Sequence, residues 1–262
     1  MSDVRTAPGR ADIETATLRR DRWWLSPAIG FAVMFAFILY ATWAAFVGRD
    51  YYASPYISPF YAPCLAEICV EGSGEIPIVG EWWKLSPALL ILPIPLGFRL
   101  TCYYYRKAYY RAFWLSPPAC GVAEPHKSYS GESRFPLVLQ NLHRYFFYLG
   151  LVLNVFLTYE AFLGFRNPEG EWGHMGLGTI VLLLNAALLW LYSLSCHSCR
   201  NAVGGRINHF SKHPVRYWMW TKVSKMNAYH GQIAWVSLFV VALADLYVRL
   251  LANGVIEDLR FF

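Results

Sequence analysis

Five stretches of this chain are long and apolar enough to cross a lipid bilayer, and nothing else in the sequence limits its fold so strongly. They run over about Ser26–Val47, Leu85–Tyr105, Leu142–Phe165, Leu177–Leu194 and Ile233–Leu251. Hydrocarbon about 30 Å thick needs roughly 20 helical residues at about 1.5 Å each. The expected fold is therefore an all-α integral membrane protein, a bundle of five transmembrane helices. Pro93 and Pro95 predict a kink in the second. Composition agrees, with 56% hydrophobic residues and only 15% charged, where globular proteins average about a quarter charged.

Basic residues set the orientation. With the N-terminus inside, sixteen Lys and Arg fall on cytoplasmic segments and five on the opposite side, and the +6 formal charge is mostly this bias. The expectation is N-terminus cytoplasmic, C-terminus outside. Residues 1–22 read as a polar cytoplasmic tail without signal-peptide character, and 23–262 as one membrane-anchor domain. The arginines flank spans rather than forming a patch on a soluble module, which argues against nucleic-acid binding.

A phrase recurs: "WWLSP" at 23–27, "WWKLSP" at 82–87 and "FWLSP" at 113–117. In the first two copies, interfacial Trp, a capping Ser and a first-turn Pro explain it. The third runs into Pro118-Ala119-Cys120 and does not read as a helix start.

The cysteines divide by side. Cys64 and Cys69 face the oxidising exterior, where a structural disulfide is the expectation. Cys102, Cys120, Cys196 and Cys199 lie on the reducing side, where metal or redox chemistry explains retained thiols better than bridges do. Six of the seven histidines share that side. His143 opens the third span and His230 the fifth, so parallel helices would bring both imidazoles to one depth. Cys196 and Cys199 close the antiparallel fourth span and reach the same depth. Spaced i and i+3, they would share a helix face, with His197 turned away. One such residue is a weak signal; two Cys and two His at one level form a constellation. It could hold zinc. Its two histidines could hold haem b, which leaves the cysteines unexplained. A Rieske-type [2Fe–2S] cluster matches the whole inventory, although the short C-x-H and C-x2-H boxes of soluble Rieske proteins are absent. A membrane thiol–disulfide oxidoreductase built on C-x2-C is a further reading, set against by the cytoplasmic side of the pair.

Four stretches, "RLTCYYYRKAYYRAFWLSPPACGVAEPH", "RFPLVLQNLHRYFFYL", "SLSCHSCRNAVGGR" and "HFSKHPVRYWMWTKVSKMNAYH", resemble the single-chain membrane anchor of actinobacterial succinate dehydrogenase, respiratory complex II. The resemblance covers roughly residues 19–252. It implies an anchor in the cell's inner (plasma) membrane that carries flavoprotein and iron–sulfur subunits on its cytoplasmic face. It also implies a Rieske-type [2Fe–2S] centre, in place of haem b, relaying electrons to menaquinone or ubiquinone. The ligand set carried over is Cys196 and Cys199 on one iron, His143 and His230 on the other. Cys120 is the leading substitute, Cys102 the next, and His126 an alternative to either histidine. Complex II quinone sites recruit a serine, an arginine and a tyrosine or tryptophan, for which Ser26, Arg22, Trp24 and Tyr145 are the nearest fits. Arg99 and Arg144, in or beside spans, are charges that snorkel or neutralise an anionic ligand. Bilayer lipid is a further partner, and nothing opposes a higher oligomer.

Overall fold

The computed structural model describes residues 19, 21–64, 76–79, 83–122, 125, 133–135 and 137–262. Among them, four helical segments are long and apolar enough to cross a membrane. They are α1 (Leu25–Val47), α5 (His143–Leu163, led in by a 3-10 turn over Leu137–Leu142), α6 (Leu177–Leu194) and α9 (His230–Ala252). α6 packs between α5 and α9. α1 stands at the edge and leaves Phe35, Leu39, Trp43 and Phe46 exposed, the pattern of a helix facing lipid.

The second apolar run departs from expectation. Instead of one kinked helix it forms three pieces: α2 (Ala88–Ile91), α3 (Pro93–Leu100) and α4 (Tyr103–Trp114). Pro93 has no N–H to continue α2 and opens α3 instead. The second break falls at Cys102, whose backbone is extended at φ −67°, ψ 131°. α2 packs beside the end of α1, through Ala88 and Ile91 in the cluster of Ala44 and Tyr61. α3 leads back to the level of His143, whose ring Phe98 stacks on. Gly97 lets α3 lie close to α5, because a Cβ there would overlap the Phe146 ring. α4 then runs along α1.

The repeated phrase behaves differently from expectation in its first two copies. Ser26 and Ser86 make no side-chain cap, since the residues flanking α1 and α2 are Trp24 and Pro87. The third copy ends a helix: Leu115 takes the left-handed conformation at φ 52° and closes α4.

At the end of the bundle opposite His143, short hairpins fill the α1–α2 connection. β1 (Tyr52–Ala53) pairs with β2 (Tyr56–Ile57), and β3 (Ile76–Val79) with β4 (Trp83–Leu85). Cys64 there is disulfide-bonded; Cys69 lies outside the described residues. The C-terminal tail folds back on the start of α6, where Asp258 accepts from Gly178 N–H at 2.9 Å and from the Tyr56 and Tyr247 hydroxyls at 2.7 Å each. Within the bundle, Arg249 pairs with Asp245 at 2.8 Å, both fully buried. Arg249 also donates to the carbonyls of Arg49 and Ala44, while Tyr40 and Ser58 donate to Asp245.

At the His143 end, α7 (His197–Gly204) and α8 (Pro214–Asn227) pack on each other across the mouth of the bundle.

Candidate functional site

Two Cys–His pairs stand where helices begin. His143 and His230 are the first residues of α5 and α9. Cys102 and Cys196 are the extended residues before α4 and α7. Cys102, Cys196 and His230 are at most 2% exposed. His143 Nε2 lies 3.1 Å from Cys196 Sγ, and His230 Nε2 lies 3.5 Å from Cys102 Sγ. The other nitrogen of each ring meets a hydroxyl, Thr101 for His143 and Ser195 for His230. Phe98 stacks on His143 with centroids 5.1 Å apart, and Tyr192 on His230 at 5.0 Å.

The Cys196 sulfur accepts the Ser198 N–H at 3.3 Å and so caps α7. Burial pushes its thiol up to about 12, and burial also raises that of Cys199. A disulfide-exchanging C-x2-C pair needs a depressed value, so these thiols lack the character of that chemistry.

The sequence-based set is thus partly regrouped. His143 meets Cys196 from the expected set, while His230 meets Cys102 rather than either cysteine of the C-x2-C pair. Cys199 is buried in the same apolar cluster, without a hydrogen bond to either imidazole among the described residues. The shared-face spacing assumed one continuous helix, but α6 ends at Leu194 and Cys196 precedes a new one. Cys120 is exposed on the loop after α4, its carbonyl accepting from Arg19 at 2.8 Å. His126 lies outside the described residues. Among those residues no three Cys, His, Asp or Glu side chains close on a single metal position; the donors stand as two Cys–His pairs.

Beside them, between α1, α3 and α4, lies a cavity of about 650 Å³, lined by Met34, Phe37, Leu96, Tyr109, Tyr110, Phe113, Trp114 and Gln140. Arg99 and Tyr105 are its polar wall. Arg99 donates to Tyr105 Oη and, at 3.2 Å, to Ser237 Oγ, and its guanidinium sits 4.8 Å from the Tyr192 ring that stacks on His230. Arg22, Trp24, Ser26 and Tyr145 do not line it; all four are exposed, three at the start of α1 and one in the first turn of α5. Sequence reasoning missed Tyr105, Thr101 and Ser195. Arg99 carried the one legible signal, a charge inside an apolar run.

The family model for "Actinobacterial succinate dehydrogenase subunit SdhC" matches residues 25–254. The chain belongs to this family. A chain of the Mycobacterium smegmatis Sdh1 complex in the apo form has a similar structure, with TM-score 0.87 and 50% identity over 98% of both chains. No curated protein matches. The chain is accordingly a membrane-anchor subunit of succinate dehydrogenase, a multi-pass protein of the inner membrane on which the flavoprotein and iron–sulfur subunits are anchored. The Cys–His pairs and the aromatic cavity are thus features of the membrane arm of a redox complex.

Proposed function

We propose that this SdhC subunit holds a Rieske-type [2Fe–2S] centre with Cys102, Cys196, His143 and His230, and reduces quinone in the adjoining cavity. One observation carries the reading: two thiols and two imidazoles, brought from four helix starts far apart in sequence, converge at one buried level against an aromatic slot. Two sulfur and two imidazole donors are the ligand inventory of that centre, and the donor set fits it in number and type. When bound, the centre would supply one-electron transfer between an iron–sulfur subunit and quinone, at a potential raised by imidazole ligation. Cys102 and Cys196 would hold iron as thiolates, giving up their protons on loading. Haem b fits less well, because it would use the two imidazoles and leave both thiols without a role.

In the cavity, Arg99 offers a donor for a quinone carbonyl, while Tyr109 and Trp114 flank the ring. Menaquinone and ubiquinone both suit this chemistry. In the membrane, α2 to α4 make the second of five crossings, with the N-terminus cytoplasmic and the α7–α8 face turned to the soluble subunits.

The test is metal and sulfide analysis with electron paramagnetic resonance on the purified complex, beside a His143→Ala, His230→Ala double variant. The expected outcome is retained succinate oxidation by artificial acceptors, loss of the Rieske-like signal, and quinone reduction lowered by at least ~100-fold. Full quinone reduction in the double variant would refute the assignment.

A further inference from the structure

The hydroxyls of Thr101 and Ser195 have a single proton each, and each has a backbone carbonyl of its own helical turn in reach to take it. Thr101 Oγ1 donates to the Gly97 carbonyl at 2.7 Å. Ser195 Oγ donates to the Tyr192 carbonyl at 3.1 Å. What remains on each oxygen is a lone pair. Thr101 Oγ1 is 2.9 Å from His143 Nδ1, and Ser195 Oγ is 2.7 Å from His230 Nδ1. With its proton on that carbonyl, each oxygen accepts, and an accepting oxygen goes with N–H at both Nδ1 atoms. A neutral imidazole carries one N–H, so both Nε2 atoms bear bare lone pairs, and both are aimed at sulfur, towards Cys196 and Cys102.

We infer that Thr101 and Ser195 are positioning residues that lock His143 and His230 as Nδ1–H tautomers, so that both bind iron through Nε2. The inference rests on the [2Fe–2S] reading above. The two halves of the site reach the same result from unrelated parts of the chain. Thr101 is the last residue before the break at Cys102, and Ser195 the last before Cys196. Each thiol is therefore preceded by the hydroxyl that orients the imidazole of one pair: Thr101–Cys102 serves His143 and His230, and Ser195–Cys196 serves His230 and His143. Asn227 Nδ2 holds the Ser195 carbonyl at 2.7 Å, fixing that dipeptide against the end of α8. An acceptor on Nδ1–H makes the imidazole a stronger donor to its metal, which favours the oxidised centre and lowers its potential.

The purified wild-type complex, grown with histidine labelled with nitrogen-15 at Nε2 alone or Nδ1 alone, supplies the first measurement. Strong hyperfine coupling to the reduced centre is expected from the Nε2 label and weak coupling from the Nδ1 label. Redox titration of Thr101→Val and Ser195→Ala complexes supplies the second: each raises the midpoint potential, and Thr101→Ser keeps the wild-type value. A strongly coupled Nδ1, or variant potentials equal to wild type, overturns the inference and leaves the [2Fe–2S] reading standing. A wild-type complex with no iron in this subunit overturns both. If the variants fail to load a centre, the labelled wild-type protein decides alone.

Discussion

Two of the buried polar clusters among the described residues stand one at each end of the bundle, and they are made of different chemistry. Around Asp245 and Arg249 every strong demand is met inside the chain: the carboxylate takes Arg249, Tyr40 and Ser58, and the guanidinium takes Asp245 and two carbonyls. Around Cys102, Cys196, His143 and His230 the outer Nδ1 atoms meet hydroxyls and the inner Nε2 atoms meet thiols. The centre consists of thiols facing imidazole nitrogens, and the Tyr192 hydroxyl close by is buried with no hydrogen-bond partner among the described residues. A saturated cluster ties helices together. One that closes on thiol–imidazole contacts is made of groups that can also ligate a metal.

The sharpest way to break this contrast is to cut the saturated end. Arg249→Met leaves a buried carboxylate unpaired and should cost roughly 3–5 kcal/mol, read as loss of assembled subunit in membranes and a lowered melting temperature in detergent. Whatever complex survives should keep its paramagnetic signal. Next come Cys102→Ser and Cys196→Ser, which should change thermal stability by less than ~1 kcal/mol, since Ser is close in size, while removing the signal and lowering quinone reduction by roughly 100-fold. A stability loss as large as that of Arg249→Met would make the inner cluster structural after all. Arg99→Leu should retain iron and raise the KM for quinone by about 10-fold or more, the worth of a hydrogen bond from a charged donor. Smallest of all, Cys120→Ser and Tyr145→Phe should leave both stability and quinone reduction within ~2-fold.

Much of this was legible because the signals were local. Four long helices follow from four uninterrupted apolar runs, and the depth of His143 and His230 follows from their standing at the start of two of them. The second run was misread because a proline kink and a full break look alike in sequence. Cys102 lies at a turn with neither Gly nor Pro to mark it, so the residue completing the site ranked behind Cys120. Cys199 was favoured by assuming that helix continued through "SLSCHSC", where the chain in fact restarts at Cys196. Arg22, Trp24, Ser26 and Tyr145 have the composition of a quinone site and equally of any helix end at a membrane surface. Only packing separates the two, and packing gathers Arg99 and Tyr105 instead. The outer ion pair was invisible for the same reason: Arg249 appeared only in the count of charges.

The interruption at Thr101–Cys102 also bears on how the subunit is made. Segments of 4, 8 and 12 residues are each too short to cross a bilayer alone. Some of their fastenings are supplied late in synthesis: Arg99 holds the Ala234 carbonyl and Ser237, and Cys102 meets His230. A ribosome has to finish the last helix before these contacts can close.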